Sequence, residues 1–411
     1  MLNERDLSHP LAGGVEVHLE EIASRLVARH GIEMTVLCAS FPGAAASEVR
    51  RGIRFERFGD RGFSYYAQVA GRARAELATG TYGLVVENLC KLLFFSRVYL
   101  PGVPHLALVH HLFGLSAFRQ VSAPIASYVV ATELLLPLFY RGWPFVVVSP
   151  STRDDLVKRG IPRRDIRVVP NGLDHDKYRP AEGAAERDLV VFVGRLEHYK
   201  GVDLLLDAWL RVRAERPAAR LVIVGEGTAG AEMRQRAGDA TFGGSVSFTG
   251  FLSEADKIAW LQRATVLVQP SRKEGWGLTV LEANACGTPV VATDVPGLRD
   301  SVRHGSSGLL AAPNPGSLAS SLCAVLGDDV LRARLAREAR AWSERFSWDH
   351  VSDAFADIVR ATAARQPLPD VPDFLGSSFA APSCGAAADA AARGADDGGD
   401  AAARDHARVI G

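Results

Sequence analysis

Short apolar runs alternate with helix-like segments along almost the whole chain of 411 residues. Apolar runs bounded by turn residues are typical of strands that are buried on both faces. Strands that alternate with helices predict parallel sheets covered by helices, and two such series predict an α/β chain of two doubly wound domains. The predicted strands are Met34–Ala39, Ile53–Phe58, Leu84–Val86, His105–Val109, Phe145–Val148, Ile166–Val169, Leu189–Val193, Leu221–Val224, Val246–Thr249, Val266–Val268, Val290–Ala292 and Gly308–Leu310.

The chain is too long for one ordinary core, so we expect it to be divided. Pro170, Asn171, Gly172 and Pro180 interrupt the strand and helix pattern near its middle. We therefore predict an N-terminal domain over 1–172, a C-terminal domain over 173–345 and a further helix over 346–365. Residues 366–411 are rich in Ala, Gly and Asp with few large apolar side chains, a composition that predicts a disordered tail.

The beginning of the sequence departs from the expected pattern. A doubly wound domain opens with a central strand, which turns here at Gly13-Gly14 into a helix over Gly14–His30. Residues 1–10 are too polar for a full central strand. The first strand is therefore expected to be truncated: either the chain begins inside it, or it is missing and its neighbours keep unpaired backbone groups. The turn at Gly13-Gly14 would then be poorly supported.

Composition excludes several classes of function. Apolar residues make up 47% and charged residues 23%, as in soluble globular proteins. Residues 1–170 hold 20 Lys and Arg against 15 Asp and Glu, an excess too small to indicate nucleic-acid binding but compatible with an acidic substrate or an anionic membrane surface. The five cysteines lack zinc-site spacing, which favours a reduced, cytoplasmic compartment. The apolar stretch 124–140 is shorter than a membrane span, so a core helix and a helix on a membrane surface both stay open.

The segment Pro270–Gly287 reads PSRKEGWGLTVLEANACG and carries most of the functional information. It places Glu274 on a glycine-rich turn after a buried strand, and Glu282 eight residues later within a helix. A helix N-terminus beside such a turn is an anion site, so a carboxylate there suits a ligand with both hydroxyl groups and phosphate, as in a nucleotide sugar. A helical separation of roughly 12 Å exceeds the roughly 5–9.5 Å between the carboxylates of glycoside hydrolases.

Two cations follow the first strand of the second half. Arg195 comes after Gly194 at the end of this strand, and Lys200-Gly201 stands five residues later. Cations at the carboxyl end of a strand can neutralise a diphosphate, although isolated Lys and Arg are more often solvated. Gly14, at the head of the first helix, either lets a phosphate approach the backbone or serves only a tight turn.

Three weaker patterns need an interpretation. His110-His111 ends a strand at the ligand-binding edge, and we favour His110 as the residue that faces the cleft. Residues 225–230 match G-x-G-x-x-G, but residues 245–250 lack the acid of a dinucleotide site, so a phosphate-side turn is favoured over an NAD-dependent oxidoreductase. Asp174-His175-Asp176 matches a metal pattern but fits turn chemistry better.

Together these motifs resemble the retaining glycosyltransferases of family 4, which have the two-domain GT-B fold. The resemblance covers the chain from Gly13 to about Arg360, and the helix after Phe346-Ser347-Trp348 is similar to the segment that crosses back onto the N-terminal domain. Its motifs are Gly13-Gly14-Val15-Glu16, His110, Asn171-Gly172-Leu173-Asp174, Gly194-Arg195 with Lys200-Gly201, Gly225-Glu226-Gly227, and Glu274 to Glu282 followed by Gly287-Thr288-Pro289.

The resemblance implies a role for each matching residue. Arg195 and Lys200 would hold the donor diphosphate, Glu274 would contact the transferred hexose, and His110 would lie near the sugar and acceptor. The N-terminal domain would be the acceptor side and the C-terminal domain the donor side. No metal or other cofactor is implied, because the two cations stabilise the leaving diphosphate. The implied donor-binding residues are Gly14, Gly225, Phe251 (at the base), Gly275, Trp276, Gly277, Leu278 and Glu282 (at the ribose).

The function implied is that of a retaining hexosyltransferase. It would move a mannose- or glucose-type sugar from a nucleotide-diphosphate sugar to a hydroxyl group of a glycan, a lipid-linked molecule or a small molecule. The cytoplasm, including the inner face of the membrane, is the expected location, and peripheral membrane contact through the N-terminal domain stays open. The alternative is a nucleotide-sugar-binding protein with little turnover, caused by the truncated first strand.

Overall fold

The protein was analysed as a computed structural model, which describes residues 1–60, 63–80, 82–89, 91–183 and 185–376, apart from the side chains of Phe63 and Arg119. Residues 1–375 form one compact unit. Most of the predicted disordered tail, residues 377–411, lies outside the described residues. The beginning of that predicted tail is ordered, because Phe374 and Leu375 are buried and Arg167 donates to the carbonyl groups of Leu368 and Pro369.

The N-terminal half contains two sheets. β3 pairs in parallel with β1 and antiparallel with β2, and the four strands β4-β5-β6-β7 are all parallel. Helices cover the sheets, as the alternating pattern predicts. The elements are α1 (Gly14–His30), β1 (Thr35–Ala39), β2 (Ser47–Arg50), β3 (Ile53–Phe58), α2 (Phe63–Leu77), β4 (Val85–Leu89), α3 (Ser96–Tyr99), β5 (His105–Val109), α4 (Ala123–Leu134), α5 (Leu136–Phe139), β6 (Phe145–Val147), α6 (Pro150–Lys158) and β7 (Ile166–Val168).

Residues 1–4 occupy the position of the first central strand. Leu2 forms parallel bridges to both Leu37 in β1 and Glu87 in β4. Its N–H donates to the carbonyl of Val86 at 2.8 Å, and the N–H of Asn88 donates to the carbonyl of Leu2 at 3.0 Å. The alternative of a missing strand with unpaired neighbours is therefore wrong: residues 1–4 pair on both sides, and the backbone groups beside Leu2 are paired.

The turn at Gly13 is supported, contrary to expectation. The N–H of Gly13, the residue before α1, donates to the Glu16 carboxylate at 2.7 Å. Arg5 pairs with the same carboxylate at 3.2 Å and donates to the carbonyl of Leu11 at 2.8 Å. These contacts connect the strand-to-helix loop to the first turn of α1, so the short first strand does not leave the loop without partners.

The C-terminal half has one six-stranded parallel sheet in the order β10-β9-β8-β11-β12-β13. The strand order reverses between β8 and β11, and ligands of doubly wound sheets bind outside the carboxyl ends of the strands at such a point. The elements are β8 (Leu189–Val193), α7 (Val202–Glu215), β9 (Arg220–Val224), α8 (Gly230–Ala237), β10 (Val246–Gly250), α9 (Glu254–Arg263), β11 (Val266–Gln269), α10 (Leu278–Ala285), β12 (Val290–Thr293), α11 (Leu298–Ser301), β13 (Gly308–Ala311), α12 (Pro315–Gly327), α13 (Asp329–Ser343) and α14 (Trp348–Ala363).

The helix α14 returns to the N-terminal half and packs against α1. Arg25 of α1 donates to the Asp349 carboxylate at 2.7 Å, and Arg29 donates to the same carboxylate at 3.0 Å. A side chain at Gly172 would lie 2.6 Å from the backbone of Trp348, so glycine is needed where the connecting segment passes α14. These contacts join the two halves through α1 and α14.

The apolar stretch 124–140 forms two helices rather than one. α4 ends at Leu134 and α5 begins at Leu136, with Pro137 in its first turn. Leu135, between them, has φ −90° and ψ 0°, which is outside regular helix geometry. Among the described residues, no helix combines the length and apolar character needed to cross a membrane.

Candidate active site

The side chains of Lys200 and Glu274 form an ion pair where β8 and β11 end. The Lys200 Nζ donates to the Glu274 Oε1 at 2.6 Å, and the Ser271 hydroxyl donates to the same oxygen at 2.8 Å. The two charged side chains are only 14% and 12% exposed. Burial acts to lower the pKa of Lys200, but the Glu274 charge outweighs it and the pKa is raised. Lys200 is therefore held as a cation at the point where the strand order reverses.

The local turn explains how Lys200 reaches this position. A short 3₁₀ turn, His198–Lys200, follows the loop after β8 and ends at Gly201, which has a φ of 73°. A side chain on Gly201 would lie 2.1 Å from the carbonyl oxygen of Pro270. Glycine therefore permits the loops after β8 and β11 to touch, and this contact brings residue 200 to residue 274.

Arg195 lies beside the same pair. Its guanidinium donates to the Tyr199 hydroxyl at 2.9 Å, and the Lys200 Nζ lies 5.3 Å from the centre of the Tyr199 ring. Burial opposes its positive charge, but Tyr199, Glu197 and Glu16 together raise the pKa of Arg195. The structure thus brings Arg195, Lys200 and Glu274 together around one site, with Glu16 of α1 contributing negative charge from the N-terminal half.

The glycine-rich turn meets the N-terminal half directly. A side chain on Gly275 would lie 2.6 Å from the His110 carbonyl oxygen, and one on Gly14 would lie 3.2 Å from the Leu278 side chain. Gly277 has φ 94° and immediately precedes α10, so the free N–H groups of this eight-residue helix face the turn. The predicted donor-binding residues 14, 275, 277 and 278 therefore lie together where the two halves meet.

Three histidines lie on the N-terminal side of this contact. His110 is buried and packs edge to face against His18, with the ring centres 4.9 Å apart. The His18 Nδ1 lies 2.6 Å from the Asn171 Oδ1, so this pair connects α1 to the segment between the halves. The Nε2 atoms of His18 and His110 have no hydrogen-bond partner among the described residues. His110 therefore carries an unsatisfied ring nitrogen, although it is more buried than the prediction of a cleft-facing residue implies.

His111, which was not selected from the sequence, lies closer to the charged pair. Its Nδ1 would be 3.6 Å from a side chain at Gly275. Burial first, and then Lys273, lower the pKa of His111 to about 4, while the Glu274 charge acts in the opposite direction. The ring is therefore neutral near pH 7, when it can donate from one nitrogen and accept at the other.

The buried His18 should make the protein sensitive to acid. Burial lowers its pKa to about 4, whereas an exposed imidazole titrates near 6.5. Between these pH values the unfolded chain binds a proton that the folded chain does not, so the free energy of unfolding decreases as the pH falls, by about 3 kcal/mol over the window. Urea unfolding measured from pH 7 to pH 4 should show that the free energy of unfolding falls less with pH in His18→Gln than in the wild type. The same fall in both proteins would contradict this prediction.

Glu282 lies in a second set of contacts, on α10 and about one helix turn after its first residue, Leu278. Its Oε1 accepts a hydrogen bond from the Lys257 Nζ at 3.1 Å and lies 3.1 Å from the Tyr178 hydroxyl. The same two donors also contact Glu254. The sequence predicted Glu282 but neither Tyr178 nor Lys257, because these residues are distant from it in sequence and match no motif.

The remaining predicted residues have different surroundings. Phe251 is 85% exposed at the end of β10, so its ring is available to a ligand. Trp276 is buried with its ring against Phe346, so only its backbone can face a ligand in the turn. A side chain on Gly225 would lie 2.0 Å from the Gly194 carbonyl oxygen. This glycine of the G-x-G-x-x-G pattern is thus explained by contact with the loop that carries Arg195.

Asp174 forms the turn that the sequence predicted. Its carboxylate accepts from the N–H of Asp176 at 3.1 Å and pairs with Lys177, also at 3.1 Å. In the part of the chain that the structure describes, no three His, Cys, Asp or Glu side chains are grouped as metal ligands. Whether the reaction needs a metal is not tested by this geometry, and metal independence stays a prediction.

Two Rossmann-like halves, a helix that returns to the first, and a charged site between them define a GT-B fold. Two solved structures share this fold at low sequence identity. The sucrose-phosphate synthase of Thermosynechococcus elongatus has a TM-score of 0.74 and 22% identity, over 89% of this chain and 98% of that one. Alr3699/HepE of Anabaena, in complex with UDP-glucose, has a TM-score of 0.69 and 19% identity, over 88% of this chain and 98% of that one.

Sequence comparison identifies the family. The family model "Glycosyltransferase Family 4" matches residues 12–177, and "Glycosyl transferases group 1" matches residues 174–342. The D-inositol 3-phosphate glycosyltransferase of Xylanimonas cellulosilytica is 35% identical over 402 residues, which cover 87% of this chain and 93% of that protein. The chain therefore belongs to glycosyltransferase family 4. With the first curated relatives it matches, by contrast, the chain spans only about half of their length. These are two D-inositol 3-phosphate glycosyltransferases and a glycogen synthase, and the matched share is between 49% and 56% of each.

Proposed function

We propose that the protein transfers a hexose of mannose or glucose type from a nucleotide-diphosphate sugar to a hydroxyl group, with retention of the anomeric configuration. The observation that carries this proposal is the Lys200–Glu274 ion pair, with Arg195 beside it, between two glycine turns at the carboxyl ends of β8 and β11. This arrangement supplies positive charge for a diphosphate and a carboxylate for a sugar in one site. The solved relative that holds UDP-glucose supports a donor of this class.

The proposed reaction follows from the placement of charge. The bond between the sugar C1 and the diphosphate oxygen breaks, and Arg195, Lys200 and the N-terminus of α10 stabilise the leaving diphosphate. Glu274 contacts the hexose as positive charge develops on its ring. The acceptor hydroxyl attacks C1 from the face that the diphosphate leaves, and its proton passes to a phosphate oxygen. His110 and His111 lie on the acceptor side of this step. Because two cations already oppose the diphosphate, we propose that no metal ion is required.

We propose contacts for the rest of the donor as well. The exposed ring of Phe251 offers a stacking surface for the base, Glu282 would accept from the ribose hydroxyls, and Gly14 permits the diphosphate to approach α1. A nucleotide-sugar-binding protein with little turnover stays the alternative. The support that residues 1–4 and Arg5 give to the N-terminal loop favours the enzyme over this alternative, because the loop is held in place.

The test is a thermal-shift screen of uridine and guanosine diphosphates and their hexose conjugates, followed by transfer and hydrolysis assays. We expect one nucleotide to raise the melting temperature, and nuclear magnetic resonance of the product to show the donor's anomeric configuration. Binding without hydrolysis or transfer would favour the binding protein. Stabilisation by NAD alone would favour an oxidoreductase, and an inverted product would exclude the retaining mechanism.

The exposed side of α4 and α5 supports an acceptor at a membrane surface. Leu134 and Leu138 are 66% and 70% exposed, and Ile125, Tyr128, Leu135 and Phe139 are also exposed. The only charged residue of this stretch, Glu133, is buried and accepts from the backbone N–H of Gly114. Arg141 closely follows α5 and Arg97 donates to its carbonyl oxygen; both cations are exposed and have no carboxylate partner among the described residues. We propose that this face, with its cationic rim, contacts an anionic bilayer and that the acceptor is amphiphilic.

The double variant Leu134→Glu/Leu138→Glu should weaken this contact. Loss of two apolar side chains and gain of two negative charges are expected to lower binding to vesicles with one-third anionic lipid by at least about tenfold. Co-sedimentation with anionic and with neutral vesicles measures the effect. Val330→Glu, at an even more exposed position on α13, is the control and should bind like the wild type. Equal binding by all three proteins would contradict the proposed membrane contact.

A further inference from the structure

The Glu282 carboxylate is held from one side only. Its Oε1 accepts from the Lys257 Nζ at 3.1 Å and lies 3.1 Å from the Tyr178 hydroxyl, whose single proton it shares with the closer Glu254 carboxylate. Its Oε2 accepts no hydrogen bond from any residue that the structure describes. The side chain is 13% exposed, so it is not free to rotate in solvent but can still be reached. One oxygen is thus held by Lys257 and by its contact with the Tyr178 hydroxyl, and the other has its full capacity to accept.

Both donors are fixed in turn by Glu254 at the start of α9. The Tyr178 hydroxyl donates to the Glu254 carboxylate, and the Lys257 Nζ lies 3.1 Å from it. The Lys257 Nζ also lies 5.2 Å from the centre of the Tyr178 ring. Burial opposes the charge of Lys257, but Glu282 and Glu254 outweigh it and raise its pKa, so the side chain is a cation near neutral pH. These four residues, Tyr178, Glu254, Lys257 and Glu282, form the Glu282 cluster.

The cluster lies between the two ends of the proposed nucleotide site. The helix α9, which carries Lys257, starts three residues after the exposed Phe251 ring, the proposed contact of the base. The helix α10, which carries Glu282, starts at the Gly277 turn, the proposed contact of the phosphates. Glu282 is roughly 6 Å along the helix from Leu278. A nucleoside diphosphate that spans these two ends would place its ribose at Glu282.

We propose that Lys257 and Tyr178 are positioning residues that fix the Glu282 carboxylate, so that Oε2 accepts from the ribose hydroxyls. They would thereby determine the preference for ribonucleotide over deoxyribonucleotide donors. The inference rests on the proposed function, because it requires a nucleoside diphosphate in the site. The physical reason is that a fixed, charge-paired carboxylate accepts strong hydrogen bonds from a diol, whereas a dideoxy sugar leaves that carboxylate without them.

The experiment compares the affinity of the full chain for UDP and for 2′,3′-dideoxy-UDP by titration calorimetry, and repeats it with GDP and its dideoxy analogue. We expect the wild type to bind the ribonucleotide about tenfold or more tightly. Lys257→Met and Tyr178→Phe should reduce this ratio to about twofold or less, mainly through weaker binding of the ribonucleotide. Lys257→Arg, which restores the charge, should recover part of the ratio. Lys177→Met, which removes a nearby lysine that pairs with Asp174 and not with Glu282, should leave it unchanged.

The possible results separate the two proposals. A wild type that binds neither UDP nor GDP would overturn the proposed function and this inference with it. If the wild type binds a ribonucleotide but Lys257→Met does not change the ratio of ribonucleotide to dideoxynucleotide affinity, only the inference is overturned. If Lys257→Met lost equal affinity for the ribonucleotide and for its dideoxy analogue, the inference would also be overturned, because Lys257 would then only maintain the fold. A selective loss of ribose preference supports it.

Discussion

Replacing Arg195 with alanine is expected to lower turnover by about two to three orders of magnitude, with the fold retained. Arg195 is a solvent-exposed residue, and its guanidinium, although partly desolvated, donates only to the Tyr199 hydroxyl among the described residues, so little stability depends on it. The charge it supplies matters most when the diphosphate leaves, so kcat should fall more than donor affinity. Steady-state kinetics and thermal unfolding of the same preparations measure both effects.

Two further variants give this prediction its controls. Arg195→Lys retains the charge but not the planar fork, so we expect partial activity between those of alanine and arginine. Arg236→Ala removes an arginine of the same half that pairs with Asp207 on the outer side of the sheet, and it should have wild-type kinetics. Wild-type turnover of Arg195→Ala would exclude the role assigned to this residue.

Much of the fold could be predicted because each buried parallel strand corresponds to a short apolar run in the sequence. β8, at Leu189–Val193, and the helix Gly14–His30 have the predicted bounds, since composition and turn residues mark both ends. β2 was not predicted, because Ser47–Arg50 is a polar edge strand and gains its structure only by pairing with β3. The first central strand was doubted for the same reason: Leu2 is fixed by its neighbours on both sides, which a local pattern does not contain.

The part of the candidate site that could be predicted lies in loops directly after strands whose order in the sheet follows from the fold. Arg195, Lys200 and Glu274 come from the ends of β8 and β11, which a doubly wound sheet places side by side. His111 and Lys257 were missed, because their positions depend on contacts between distant segments that no spacing encodes. The buried state of Trp276 was also not predictable, since the Phe346 ring that covers it comes from the segment before α14.

Separate and joint replacement of Lys200 and Glu274 should distinguish catalysis from stability. Each single replacement by methionine leaves the other charge buried without its partner, which is expected to cost about 3–5 kcal/mol of unfolding free energy. The double variant Lys200→Met/Glu274→Met removes both charges, so most of that stability should return, while turnover should stay at least about a thousandfold below the wild type in all three variants.

Chemical denaturation and transfer assays on the four proteins complete this cycle. A double variant that is as unstable as the sum of the single variants would show that the two charges do not stabilise each other across the 2.6 Å contact. A double variant that recovers turnover would show that neither charge acts on the substrate. If the double variant regains stability but not turnover, the ion pair serves the chemistry of the site. Apolar side chains of similar size would then stabilise the fold as well as the two charges do.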